Sequence, residues 1–90
     1  MDLPIAGEAV PVFDCHVLLR QTEKGVTART ANVDGITSSG PTERDALLAM
    51  VKKFKAFAQA CTDEGKPIPF LAEPIKPESD EVERWVPVHL

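Results

Sequence analysis

Residues 35–65 read GITSSGPTERDALLAMVKKFKAFAQACTDEG, and this run decides the fold. Gly40 and Pro41 end whatever precedes them, because glycine frees the backbone and proline removes a donor. Thr42 can accept the exposed N–H groups of a first helical turn, with Asp45 three residues on. Glu43 and Asp45 put negative charge at the positive end of the helix dipole. Leu47, Met50, Val51, Phe54, Phe57, Ala58 and Cys61 then recur at a spacing of three and four, forming one apolar stripe. Lys52, Lys53 and Lys55 fall off it as a solvated face. Gly65, with Pro67 and Pro69 behind it, stops the run. The pattern predicts a helix of about 23 residues, roughly 35 Å long.

Upstream, Val12 to Arg20 alternates with period two. Phe13, Cys15, Val17 and Leu19 take one face, and Asp14, His16, Leu18 and Arg20 the other. Gln21 to Gly25 reads as a turn and Val26 to Ala31 as a returning strand, which makes a hairpin. Asn32-Val33-Asp34-Gly35 reads as a second turn, its Asn and Asp bonding their own backbone. Ile36 to Ser38 is a short third strand. Residues 1–11, with Pro4, Gly7 and Pro11, read as an extended arm.

Downstream, residues 66–80 contain four prolines and form an irregular connector that has to run back along the domain. Glu78 to Arg84 is a charged patch suited to one helical turn. Trp85 to Leu90 reads as a final strand, placed at an edge by Pro87. The expected fold class is α+β. A small antiparallel sheet of three to four strands carries one long helix on one face, in the order β-β-β-α-β, within a single domain at 12–90. The second sheet face, with His16, Leu18, Arg20 and Arg29, is left for solvent or a partner.

Composition narrows the function classes. Ninety residues with 43% hydrophobic and 27% charged content suit one globular domain of modest stability, for which oligomerisation would help. A net charge of −4 disfavours direct nucleic-acid binding over a broad surface. No basic n-region with an apolar run opens the chain, and no stretch approaches a membrane span, so a cytoplasmic protein away from membranes is expected. Cys15 and Cys61 lack CxxC spacing and read as reduced small residues.

Chemistry-bearing patterns are sparse. His16 and His89 are the only histidines, and Cys15 and His16, adjacent on a strand, point to opposite faces. No metal ligand set, nucleophilic triad, P-loop or dinucleotide-binding glycine pattern is legible, so no catalytic residue, metal or cofactor is expected. Asp14 is a single strand carboxylate where two-metal nucleases need several. Trp85, beside the acidic run from Glu78 to Glu83, reads first as a core residue and second as an interface anchor.

Three local matches carry a resemblance. Asp34-Gly35-Ile36 forms a turn closing on a small apolar residue. Gly40-Pro41-Thr42-Glu43-Arg44-Asp45-Ala46 is similar to a Gly-x-Thr-x-x-Glu-Ala helix opening. Gly65-Lys66-Pro67-Ile68-Pro69 supplies the glycine and Ile-Pro pair that follow the helix. Across about residues 12–70, with the last strand fitting by position, the chain resembles the HicB-type antitoxins, whose fold is a truncated relative of ribonuclease H. Asp45 stands where that motif has Glu, and the usual Pro-Asp-x-Pro-Gly turn is shortened.

The resemblance implies a non-enzymatic interaction module that binds and neutralises a small basic ribonuclease toxin of the HicA kind. Many such proteins carry a DNA-binding segment after this domain; the sequence leaves no room for one after Leu90, so a repressor role is not carried over with the resemblance. The surfaces offered are the outer sheet face and the acidic connector: His16, Leu18, Arg20, Arg29, Glu78, Asp80, Glu81 and Trp85. A homodimer or higher oligomer is also expected. The alternative is a solitary HicB-like oligomer with a structural or ligand-binding role. A divergent metal-dependent nuclease stands behind both.

Overall fold

A computed structural model describes residues 12–90; the expected arm at 1–11 lies outside them. The chain forms β1 (Val12–Thr22), β2 (Gly25–Thr30), β3 (Thr37–Gly40), α1 (Glu43–Asp63) and β4 (Glu81–His89). The four strands make one antiparallel sheet in the order β3-β2-β1-β4, with α1 packed against it. This is the expected β-β-β-α-β arrangement of an α+β domain.

The hairpin follows from the alternation of its residues. β1 runs two residues further than expected, so only Glu23 and Lys24 turn the chain, and Gly25 follows at a positive φ of 137°. Leu19 pairs with Ala28 and Val17 with Thr30, so the apolar rows of both strands share the helix-facing side. Phe54, Met50, Ala46 and Ala58, four residues apart along α1, are buried against Cys15, Val17, Leu19, Val26 and Ala28.

Helix and sheet meet most closely at the start of α1. Thr42 caps it, accepting the Asp45 N–H at 3.2 Å. Ser38 donates its hydroxyl to the Ala46 carbonyl at 2.9 Å. Gly40 is the last residue of the third strand; a Cβ there would sit 2.6 Å from Asp45 Cβ and 2.8 Å from the Ala46 nitrogen. Only Pro41 and Thr42 separate β3 from the helix. That short link holds α1 over β3 and β2, its main contacts, with fewer contacts to β4 and β1.

Two expectations fail in the last quarter of the chain. The charged patch Glu78–Arg84 does not form a helical turn: from Glu81 it is strand, because its alternate carboxylates find cationic or histidine side chains on neighbouring strands. Trp85 is not a core residue. The register Trp85↔His16 sets it on the face away from the helix, where it is 60% exposed.

β4 runs antiparallel to β1, so the connector has to climb the length of the domain. Ile68 packs on the helix-side core, and Phe70 meets Phe13 at a ring separation of 6.2 Å. The Leu71 and Ile75 N–H groups then donate to the Asn32 and Ala31 carbonyls at 2.8 and 2.7 Å.

Replacing Gly40 by alanine forces Asp45 and Ala46 outward. We expect destabilisation of about 1–3 kcal/mol, the usual cost of overpacking, read as a lower urea midpoint with an unchanged slope.

Candidate interaction surface

The face away from the helix is built from alternate residues of all four strands, β3 supplying Thr37 and Ser39. β1 supplies Asp14, His16, Leu18 and Arg20; β2 supplies Thr27 and Arg29; β4 supplies Glu81, Glu83, Trp85 and Pro87. Arg29 pairs in register with Leu18, and Glu81 with Arg20, so Arg29 and Glu81 sit on strands flanking β1. Their side chains meet across it. Arg29 donates from Nη2 and Nε to the two Glu81 oxygens at 2.7 and 2.9 Å, a bidentate pair. Leu18, between them on β1, is 0% exposed and so supports the surface from beneath.

The connector brings its acids to the same place. Arg20 donates to Asp80 at 2.8 and 3.2 Å and lies 4.0 Å from Glu78. The Glu78 N–H donates to Glu81 at 2.8 Å. The Glu81 side chain is only 2% exposed and is held by hydrogen bonds on both carboxylate oxygens. Arg29 hydrogen bonding, above all, holds its carboxyl below the usual carboxylate range against the opposing effect of burial. The same contact raises the Arg29 guanidinium above its ordinary value.

Further along, His16 and Trp85 are cross-strand neighbours with rings stacked at 4.6 Å and 18°. His16 Nε2 lies 2.7 Å from Glu83. The exposed indole thus has an imidazole beneath it and Glu83 beside it, with Asp14 across the ladder from Pro87. All eight residues expected at an interface fall on or beneath this one surface. Glu78 and Asp80 reach it through Arg20, and Leu18 contributes support rather than contact area.

Sequence reasoning missed two contributors. Glu83 was legible in principle, since Glu81, Glu83 and Trp85 alternate with Val82, Arg84 and Val86. Asn32 was not. Rather than closing its own turn, it extends the β1 ladder where β2 has departed. Its amide oxygen accepts the His16 N–H at 3.3 Å and its amide nitrogen donates to the Asp14 carbonyl at 2.7 Å. That frees the Ala31 and Asn32 carbonyls to hold the connector.

A cleft of about 530 Å³ borders Arg20, Thr27, Arg29, Ser39 and Glu81, but both arginines are already matched with carboxylates. Among the described residues no group of three or more His, Cys, Asp or Glu side chains could hold a metal ion. Cys15 is buried, which pushes its thiol up to about 12 and leaves it a poor nucleophile at neutral pH. No described helix is long and apolar enough to cross a membrane. No protein-family model, no curated protein and no solved structure matches this chain.

The Arg29–Glu81 pair has a pH signature. Because the folded-state pKa of Glu81 lies below the unfolded value of about 4.3, its contribution is present at neutral pH and is lost as pH falls through the lowered value. We expect Arg29→Ala to lower the urea midpoint at pH 7 and to shrink the loss of stability between neutral and acid pH, measured by urea titrations across that range.

Proposed function

We propose that this chain is a non-catalytic interaction module of the HicB antitoxin type, acting in the cytoplasm, whose outer sheet face binds and blocks a small basic ribonuclease of the HicA kind. The observation that carries the reading is Trp85. A tryptophan 60% exposed on the outer face of the sheet, backed by the His16 ring, is a preformed anchor for a partner pocket. Its surroundings select the partner's charge. Glu83 stands on the same strand face, Asp14 is exposed nearby on β1, and the chain as a whole carries −4. Carboxylates around an aromatic anchor favour a basic partner and speed its approach. The helix opening at Gly40–Ala46 and the turn at Asp34–Ile36, which resemble the family's with Asp45 in place of Glu and a shortened turn, support the same reading at the level of the scaffold, which positions this face without supplying chemistry of its own.

The test is titration calorimetry and RNA-cleavage inhibition with a purified small basic ribonuclease, taken from the gene beside this one or from affinity capture. The wild-type chain should bind and inhibit it. Trp85→Ala should weaken binding by roughly 30-fold or more, the scale of an interface anchor. Glu83→Gln should chiefly slow association and reduce its salt dependence. A wild-type chain that leaves the ribonuclease active, or Trp85→Ala binding at wild-type strength, would overturn the proposal.

A further inference from the structure

β4 is an edge strand, and its outer edge has a definite hydrogen-bond pattern. The Ala31 N–H donates to the His16 carbonyl at 2.7 Å, so the even-numbered residues of β1 face β2. In an antiparallel sheet the two polar groups of a residue point the same way and alternate along the strand. Cys15 and Val17 therefore face β4, and their partners Val86 and Arg84 face back. Glu81, Glu83, Trp85, Pro87 and His89 turn their backbone groups outward. Two contacts agree with this: the Glu81 N–H donates to the Glu78 carbonyl, and Arg84 Nη1 donates to the Glu83 carbonyl at 2.8 Å. Among the described residues, no strand pairs with this edge.

We propose that the outer edge of β4 pairs antiparallel with the same edge of a second copy, about a two-fold axis at Trp85, to give a continuous eight-stranded sheet. In that register Trp85 faces Trp85, and each N–H meets the other's carbonyl. Glu83 faces Pro87. The Glu83 N–H finds the Pro87 carbonyl, while the missing N–H of Pro87 falls opposite the one carbonyl already satisfied, that of Glu83, which Arg84 holds. His89 then donates toward the Glu81 carbonyl, and the ladder ends there at the strand terminus, since the Glu81 N–H is held by Glu78. The gap left by proline and the carbonyl that needs no donor coincide only when the strand meets itself in this register. Moving the axis to position 84 sets Arg84 against Arg84. Moving it to 86 leaves the Trp85 carbonyl opposite Pro87, without a donor. An isologous pairing of this kind is the commonest form of homodimer.

The side chains along β4 favour the same occupant. On the helix side, α1 leaves the strand half covered, and Val82 is 49% exposed and Leu48 55% exposed. A groove of about 490 Å³ runs between α1 and β4, lined by Leu47, Leu48, Val51 and Val86, with Glu43 and Arg44 at the start of the helix. Two-fold pairing at Trp85 sets Val82 against Val88 and Arg84 against Val86, bringing the two grooves alongside one seam. On the other face the two indoles lie side by side, still open to a third molecule.

A chain that dimerises without binding a basic ribonuclease overturns the preceding reading and leaves this one standing. Sedimentation equilibrium of the full chain should give twice the chain mass. Hydrogen exchange should show the Glu83 and Trp85 amides protected along with Arg84 and Val86. Val82→Lys places a charge in the seam, and Trp85→Pro removes an N–H that the monomer's own sheet does not use. Both should sediment as monomers, and in Val82→Lys the Glu83 and Trp85 amides should exchange roughly 100-fold faster while Arg84 and Val86 stay protected. If Trp85→Pro fails to fold, Val82→Lys and the wild-type exchange pattern still decide. A wild-type monomer overturns the proposal, and so do Glu83 and Trp85 amides protected in a monomer or exposed in a dimer.

Discussion

The approach of the helix to the third strand sets the shape of the rest. Gly40 lies so close to Asp45 and Ala46 that a single methyl group would not fit, and two residues span the gap from strand to helix. With so short a link, α1 cannot slide toward the centre of the sheet. It lies mainly over β3 and β2 and makes fewer contacts with β4 and β1. Ser38 reinforces the contact from the sheet side by bonding the Ala46 carbonyl.

Two consequences follow along the chain. The helix ends at the opposite end of the domain from its start, yet β4 runs antiparallel to β1 and begins near Arg20, so the connector has to travel back. Its path is fixed by backbone donors to Ala31 and Asn32, carbonyls that are free because the Asn32 side chain has taken over the β1 ladder. A polar side chain substituting for a strand is favourable here because the His16 N–H and Asp14 carbonyl would otherwise lose their partners near the sheet. At its far end the connector delivers Glu78 and Asp80 to Arg20 and leads into Glu81.

The outer face then divides into two halves with different physical character. Near Arg20 and Arg29 the charges are mutually satisfied, and the bidentate Arg29–Glu81 pair roofs a buried leucine. Such a group braces three strands but offers few unmatched charges to a ligand. Near Trp85 the surface is apolar at its centre and acidic around it. This is where binding free energy can be gained, since burying an exposed indole removes a large apolar area from water. On the opposite, helix-side face of the same strand, β4 is only half covered, with Val82 49% exposed.

By itself the sequence determined the local elements. The cap at Thr42, the apolar spacing of α1, the alternation of β1 and β2 and the edge position signalled by Pro87 all rest on interactions within a few residues, so they are legible without the fold. The β-β-β-α-β order and α+β class followed from them. Only the tertiary structure decided the pairing of β4. Cross-strand partners 50 to 70 residues apart, such as Arg29 with Glu81 and His16 with Glu83, made a strand of a charged segment that local rules assign to a helical turn. The same register moved Trp85 from an expected core position to the surface, because a shift of one residue exchanges the faces of a strand. Asn32 carried no sequence sign of its role, since an asparagine in a turn and one replacing a strand look alike until the neighbouring backbone is in place.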